Sequence, residues 1–257
     1  MTSRRVRFEG HLSDELSGSL HRAENARGGI LMAHCFTCSS DLAVNVRIAK
    51  HLVERGYNVL RFDFTGLGRS GGDFQDSTFV SNVGDLVRAA QWMLDAGLGP
   101  TGMFGHSLGG SACLIAAGRI RTVASLVLLG TPGTADHILN HIATDDVEAI
   151  EVEGCKEVEL AGRRFPISKD FLDDLHAYEH GEAIADLGRP LAIIHSPDDR
   201  TVPISEGERL FAAAGQPKAF YPLIGANHLV TDPEHARRAA VFAADWFDAT
   251  GAGSFGS

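Results

Sequence analysis

The sequence Gly105-His106-Ser107-Leu108-Gly109 decides the fold of this chain. A short apolar run ends just before it and the apolar stretch 110–117 follows, which predicts a strand, a sharp turn and a buried helix. A serine at such a turn has a strained backbone and presents its oxygen above the edge of the sheet. The two glycines fit because a Cβ at either position would clash with neighbouring backbone. The stretch therefore nominates Ser107 as a nucleophile.

A serine hydroxyl is a weak nucleophile and needs a histidine base and a carboxylate. The chain carries both after Ser107 and in the expected order, with Asp198 and Asp199 followed by His228. The helix that follows Ser107 aims free N–H groups at the site, which favours a developing oxyanion. Because Gly-x-Ser-x-Gly alone is a weak signal in a chain with 29 glycines, the interpretation depends on these partners.

Strand and helix patterns alternate along most of the chain, which predicts an α/β fold with a mostly parallel central sheet and helices on both faces. A helix over 40–55 would be capped by Ser40-Asp41. The other predicted elements are two edge strands (5–8, 12–21), inner strands (30–33, 59–62, 123–129, 191–194, 218–223) and helices (80–96, 209–214, 233–248).

The segment 133–188 interrupts the alternation and is the least apolar part of the chain. It has the pattern of a hairpin at 157–167 and a helix at 169–178. We expect a small cap insertion over the carboxyl edge of the sheet, where ligands bind in open α/β folds. The predicted organisation is a core of residues 1–132 and 189–250, this cap, and a disordered tail of residues 251–257.

Composition limits the class of protein. The chain has 257 residues, 44% of them hydrophobic, which is enough for one substantial core. A formal charge of −10 argues against nucleic acid or an anionic membrane as the main partner. Arg4, Arg5 and Arg7 are followed by acidic residues rather than an apolar signal core, and no apolar run reaches membrane-spanning length. We therefore expect a cytoplasmic protein.

Several independent stretches resemble the α/β-hydrolase superfamily. Residues 63–70 are similar to its Asp-x-x-Gly-x-Gly-x-Ser loop and 105–109 to its nucleophile elbow. Residues 195–202 resemble the loop that carries the acid, and 225–228 the loop that carries the histidine. More narrowly, 34–39 and 61–66 are similar to the hydrolase domain of α/β-hydrolase–OsmC fusion proteins, which implies an OsmC-like protein as a partner.

The resemblance implies a catalytic role for three residues. Ser107 would be the nucleophile, His228 the base that takes its proton, and Asp199 the acid that holds the tautomer of His228. The family pattern places the acid three residues before a hydrophobic residue. Asp199 fits because Val202 follows at that distance, whereas Asp198 is one position early.

The resemblance also implies how the site is supported. The backbone N–H groups of Phe36 and Leu108 would form the oxyanion hole. His34 and His106 would support the site through packing or hydrogen bonds. Cys35 stands where many relatives have glycine, which would narrow the acyl pocket.

Three further motifs are interpreted as structural rather than as cofactor or metal sites. The sequence 66–71 matches a dinucleotide fingerprint, but no helix opens at its third glycine to bind a pyrophosphate. Cys35 and Cys38 form a Cys-x-x-Cys without a second pair for zinc, so we expect them to pack and shape the oxyanion loop, with a reactive thiol as the alternative. His137 and His141 provide only two ligands and are expected to be solvated cap residues.

The resemblance implies a serine esterase-like enzyme that cleaves a small-molecule carboxylic ester through an acyl-enzyme, without cofactor or metal. A thioesterase, an amidase or a cofactor-free perhydrolase would use the same triad, and a non-catalytic ligand-binding member of the fold is a further alternative. A haloalkane dehalogenase is excluded because it needs a carboxylate nucleophile in place of Ser107. Substrate choice should depend on the cap, which carries no transferable motif.

Overall fold

Eight strands form the central sheet in the computed structural model, which describes residues 2–160, 162–177 and 180–253. The first two strands are antiparallel to their neighbours, and the other six run parallel. This confirms the predicted α/β fold with a mostly parallel sheet. In spatial order the strands are β1 (Thr2–Glu9), β2 (Glu15–Arg22), β4 (Tyr57–Phe62), β3 (Gly28–Ala33), β5 (Pro100–His106), β6 (Ser125–Leu129), β9 (Leu191–His195) and β10 (Lys218–Pro222).

Helices cover both faces of the sheet. Helices α1 (Ala43–Glu54) and α8 (Pro233–Ala249) pack on one face, and α2 (Phe79–Asp95), α3 (Leu108–Arg119) and α7 (Ile204–Ala213) pack on the other. Every residue of the inner strands β3, β4, β5, β6 and β9 is buried, which explains why apolar residues dominate most of them. None of the helices in the described ranges combines the length and apolar character needed to cross a membrane.

Helix α1 begins later than the sequence predicts. Its first residue is Ala43, and no side chain caps it. The expected cap residues make tertiary contacts instead: the Asp41 carboxylate accepts from Arg5 at 3.1 Å, and the Ser40 N–H donates to Asp63 at 2.6 Å. Arg5 and Asp63 are far from Ser40 and Asp41 in the sequence. The local cap pattern therefore predicted the wrong contacts for these two residues.

The segment 133–188 folds into a cap. The predicted hairpin is present as antiparallel strands β7 (Cys155–Leu160) and β8 (Arg163–Ser168). The predicted helix is α5 (Lys169–Ala177), while residue 178 lies outside the described residues. The sequence did not predict α4 (Thr144–Glu153), α6 (His180–Ala185) or the 3₁₀ helix Ala135–His141. In α4 only Ile150 is buried, so the helix has almost no apolar stripe to detect.

The cap shares its apolar packing with the sheet. Buried cap side chains, Phe165 and Phe171 among them, belong to the same hydrophobic cluster as the side chains of α2 and α3. The cap is therefore held over the carboxyl edge of the sheet by continuous core packing.

The beginning of the predicted disordered tail is ordered. Residues 251–253 form a turn in which Ala252 is fully buried, and its carbonyl accepts a hydrogen bond from the Thr101 hydroxyl. The prediction is corrected for these three residues because their backbone packs against β3 and β5. Residues 254–257 lie outside the described part of the chain.

Candidate active site

Ser107 lies on a sharp turn between β5 and α3. Its φ is 55°, in the left-handed region that is uncommon for residues other than glycine. A Cβ added at Gly105 would lie 2.4 Å from the Cα of Gly110, and one at Gly109 would lie 2.3 Å from the carbonyl oxygen of His34. Glycine is therefore required on both sides of Ser107, as the motif predicted.

The structure brings together three residues that the sequence nominated. The Nε2 of His228 lies 3.0 Å from the Oγ of Ser107, and its Nδ1 lies 2.7 Å from the Oδ2 of Asp199. Ser107 and Asp199 are each only 7% exposed. A hydroxyl, an imidazole and a carboxylate in this linear order form a proton-transfer chain, since each ring nitrogen of His228 has one partner.

Asp199 is held as a carboxylate. Burial alone raises its pKa, but the hydrogen bond and charge of His228 and the N–H donors of Val202 and Thr201 outweigh burial, so the pKa lies below its ordinary value. Those two N–H groups donate to Oδ1 at 2.9 and 2.8 Å. The other oxygen, Oδ2, is left to accept the Nδ1–H of His228.

Asp198 has a different partner. Its Oδ2 accepts the N–H of Gly225 at 2.8 Å, so it ties the loop after β9 to the loop that carries His228. The two adjacent carboxylates thus point to different groups, and only Asp199 contacts the His228 ring.

Phe36 and Leu108, the two predicted oxyanion-hole residues, line the same cavity as Ser107. Leu108 is the first residue of α3, where a helix leaves its N–H groups without intrahelical partners, and Phe36 lies in the loop after β3. Within the described ranges, neither amide N–H has an acceptor in the protein. Both are free to donate to an oxygen that gains negative charge beside Ser107.

His34 and His106 form hydrogen bonds around this site. The Nδ1–H of His34 donates to the carbonyl of Cys35 at 2.8 Å, and its Nε2 accepts the N–H of Phe64 at 3.3 Å. The Nε2–H of His106 donates to the carbonyl of His228 at 2.9 Å. Burial lowers the pKa of both rings, that of His106 to about 3. Both histidines are therefore neutral, with fixed tautomers.

The two cysteines of the Cys-x-x-Cys motif are bonded to each other, which the sequence did not predict. Cys35 and Cys38 are joined in a disulfide, with Cα atoms 5.5 Å apart, rather than present as two thiols. Both residues line the cavity beside Ser107, so the expected role in shaping the loop agrees with their position. The bond was missed because Cys-x-x-Cys spacing alone does not show whether the chain turns tightly enough, and here Thr37 turns with a φ of 58°.

The cavity above Ser107 has a volume of about 390 Å³. Its walls come from the loop after β3, the 3₁₀ helix Ala135–His141, β7 and the loops of Thr201 and His228. His141 is exposed, as expected of a solvated cap residue, and His137 is half-buried. Both line this cavity, and the Nε2–H of His137 donates to the carbonyl of Thr201 at 3.2 Å. Across the part of the chain that the structure describes, no cluster of three or more His, Cys, Asp or Glu residues could hold a metal ion.

The glycines of 66–71 allow the tight turns of the loop in which they lie. Gly66 and Gly68 have positive φ, and a Cβ on Gly68 would lie 2.3 Å from the carboxylate of Asp63. The next helical turn is a three-residue 3₁₀ helix, Phe74–Asp76. The dinucleotide interpretation therefore has no helix N-terminus on which to place a pyrophosphate.

Comparisons with known proteins agree with this fold. The sequence pattern of the alpha/beta hydrolase fold family matches residues 29–151. The crystal structure of the esterase domain of a Rhodothermus marinus protein is 33% identical, covers 96% of this chain and 98% of that chain, and has a TM-score of 0.79. The narrower similarity to OsmC fusion proteins stays a prediction.

Two curated relatives are more distant. The uncharacterized protein YfhR of Escherichia coli (strain K12) is 26% identical over 215 residues, and the lysophosphatidylserine lipase ABHD12 of Danio rerio is 29% identical over 180 residues. The matches cover 83% and 68% of this chain but 64% and 44% of those proteins, so the chain spans less than two thirds of either relative. With one-third identity to an esterase domain over nearly the whole of both chains, this chain belongs to the α/β-hydrolase superfamily.

Proposed function

We propose that the chain is a serine hydrolase that cleaves a small, uncharged carboxylic ester through an acyl-enzyme. The observation that carries the proposal is the hydrogen-bonded series Ser107–His228–Asp199, at 3.0 and 2.7 Å, on the floor of a cavity of about 390 Å³. Each residue has the chemistry and the partner that its step requires.

The first half of the reaction forms the acyl-enzyme. The Oγ of Ser107 attacks the ester carbonyl carbon while the Nε2 of His228 takes the hydroxyl proton. The carbonyl oxygen becomes an oxyanion that the N–H groups of Phe36 and Leu108 would receive. His228 then returns the proton to the leaving alkoxide, and the product is an alcohol with the acyl group on Ser107.

The second half uses the same groups with water. His228 takes a proton from a water molecule, the hydroxide attacks the acyl carbon, and the proton returns to the Oγ of Ser107. Asp199 stays ionised throughout and stabilises the positive charge that His228 carries in each transition state. The ester and one water molecule are the reactants that balance the two halves.

The cavity supports a small and uncharged substrate. A volume of about 390 Å³ is near the lower end of the range of roughly 300–1,000 Å³ for small-molecule sites. Of the described residues that line it, none is lysine or arginine, and the only acidic one is the exposed Glu159. Seven of the others are apolar, namely Phe36, Leu108, Pro132, Ile138, Leu160, Val202 and Leu229.

The proposal is tested with one panel of substrates and one variant. Acetyl and butyryl oxyesters, the matching thioesters and the matching anilides are assayed with the wild-type protein and with Ser107→Ala. We expect the oxyesters to have the highest kcat/KM, and Ser107→Ala to lower their turnover by about 10⁴–10⁶ while circular dichroism is unchanged. Faster turnover of thioesters or anilides would mean that the preferred bond is a thioester or an amide. An active Ser107→Ala protein would refute the proposal.

A further inference from the structure

The Cys35–Cys38 disulfide encloses Phe36, whose amide is a proposed oxyanion-hole donor. Phe36 lies within the ring of atoms that the disulfide closes, and the N–H of Cys38 also donates to the carbonyl of Cys35 at 3.2 Å. The direction of the Phe36 N–H depends on rotations inside this ring. A covalent link across the ring therefore limits where that N–H can point.

The backbone of loop 35–38 is strained at Thr37, which favours a change of loop conformation when the disulfide is absent. Thr37 has a φ of 58°, which is unfavourable for a β-branched residue. In the four-residue span from Cys35 to Cys38, the disulfide is the only covalent bond besides the main chain. Opening it would allow Thr37 to relax to negative φ, and such a rotation would displace the neighbouring Phe36 peptide.

The remaining contacts of the loop use its side chains and its carbonyl oxygens. The Phe36 ring stacks on Phe171 of the cap at 5.2 Å between ring centroids. Arg163 of the cap donates to the Thr37 carbonyl at 3.3 Å, and His34 donates to the Cys35 carbonyl. The Cys35 carbonyl and the Phe36 N–H belong to one planar peptide, so the bond from His34 also restrains that N–H. The disulfide adds a covalent restraint on the span that contains this peptide.

The disulfide can be reached from the cavity. Both cysteines line the cavity with Ser107; Cys35 is 3% exposed, whereas Cys38 is half-buried. A small dithiol that enters the cavity would therefore attack the Cys38 sulfur first. Its thiolate forms a mixed disulfide with Cys38 and expels the Cys35 thiolate. The second thiol of the reagent then closes a cyclic disulfide and releases the Cys38 thiolate, so two electrons and two protons reach the protein.

We propose that the Cys35–Cys38 disulfide is a positioning element for the oxyanion hole, and that turnover depends on its oxidation state. The inference rests on the proposed function. Its effect falls on kcat rather than KM, because the Phe36 N–H meets the substrate oxygen most closely after that oxygen becomes charged. Removing one oxyanion-hole donor costs about 10²–10³ in kcat, and displacing it should cost roughly tenfold or more.

The test compares oxidised and dithiol-reduced wild-type protein after the reagent has been removed by gel filtration. Alkylation and mass measurement establish the number of free thiols in each sample. We expect reduction to lower kcat at least tenfold with KM within about twofold, and reoxidation to restore kcat. A trifluoromethyl ketone, which mimics the tetrahedral state, should lose affinity in parallel with kcat, whereas inhibition by the product alcohol should not change.

Two variants separate the disulfide from the other thiols. Cys35→Ser/Cys38→Ser should have the kcat of the reduced protein and no response to dithiol. Cys155→Ser changes a free cysteine in the cap and should keep the full response of the wild type. If the double variant does not fold, the reduced wild-type protein, checked by circular dichroism, decides alone.

The outcomes distinguish this inference from the proposed function. Equal kcat in both oxidation states, or a change in KM alone, would refute the positioning role while Ser107 still reacts with a phosphonate at the same rate. No reaction at Ser107 in either state would refute the proposed function and the inference with it.

Discussion

His106, the residue before the candidate nucleophile, donates its Nε2–H to the main-chain carbonyl of His228 at 2.9 Å. The strand that carries Ser107 thereby also holds the loop that carries the base. Burial lowers the pKa of His106 to about 3, so this ring stays neutral at any pH at which the site works. It is a positioning residue, and its effect should appear in turnover.

Replacing His106 should lower kcat with little change in KM. His106→Ala removes the donor to His228, and losing one such hydrogen bond costs about 1 kcal/mol, which corresponds to a roughly fivefold lower kcat. His106→Gln retains an N–H that can reach the carbonyl and should keep more of the activity. Steady-state kinetics on one activated ester measure both, with thermal unfolding as the control. Wild-type kcat in His106→Ala would show that this contact does not position His228.

Asp199 and Asp198 are adjacent carboxylates, so the same substitution at each position gives a controlled comparison. Asp199→Asn keeps the shape of the loop but favours the wrong tautomer of His228, so turnover should fall by roughly 10³–10⁴. Asp198→Asn removes only a charge from the contact with Gly225 and should cost well under tenfold. The measurement is kcat for both single variants on the same ester. A larger loss of kcat in Asp198→Asn would mean that Asp198, rather than Asp199, is the catalytic acid.

Glu159 should disfavour anionic substrates because it is the only acidic residue among the described residues that line the cavity. Glu159→Lys should raise kcat/KM for a hemisuccinate ester, relative to the acetate ester of the same phenol, by roughly threefold to tenfold, and added salt should weaken the effect. Glu148→Lys is the control, since it makes the same charge change on an exposed residue of α4 outside the cavity. Equal ratios in the two variants would mean that Glu159 does not select substrates by charge.

His21 makes stability depend on pH. Burial and the charge of Arg61 lower its pKa from 6.5 to about 4, and Arg61 donates to its Nε2 at 3.3 Å. Since the unfolded chain binds the proton more tightly, this contribution to stability is complete above pH 6.5 and is lost as the pH falls toward 4. It should amount to about 2 kcal/mol of the free energy of unfolding by pH 5.

The measurement for His21 is urea unfolding at pH 8 and pH 5. His21→Gln stays neutral and can still accept from Arg61, so its stability should fall less than that of the wild type over this range. The other buried histidines titrate in both proteins and do not affect the difference. Equal losses in the two proteins would contradict the assignment.

The elbow was predictable because the residues it requires are consecutive, although the close approach at Gly109 is to the distant carbonyl of His34. The left-handed turn at Ser107 and the close approaches at Gly105 and Gly109 require particular residues within five positions. The contacts of Ser107 with His228, 121 positions away, followed from the order of residues and the family resemblance rather than from any local pattern.

Other features were not predictable because they depend on distant partners. Ser40 and Asp41 look like a helix cap, but Arg5 binds the Asp41 carboxylate and Asp63 accepts the main-chain N–H of Ser40. The Cys35–Cys38 bond depends on the left-handed turn at Thr37, which no residue preference for threonine indicates. The cap helix α4 lacks an apolar stripe because it buries only Ile150.

The most direct test of the account maps the site of reaction with a serine-directed fluorophosphonate by peptide mass spectrometry. A reactive Ser107 Oγ should attack phosphorus, expel fluoride and leave one phosphonyl group per chain on the peptide that contains Ser107. His228→Ala should be labelled at least 10³-fold more slowly, because the base that removes the proton is lost. An adduct on another residue, or undiminished labelling of Ser107→Ala, would contradict the central claim that Ser107 is the nucleophile.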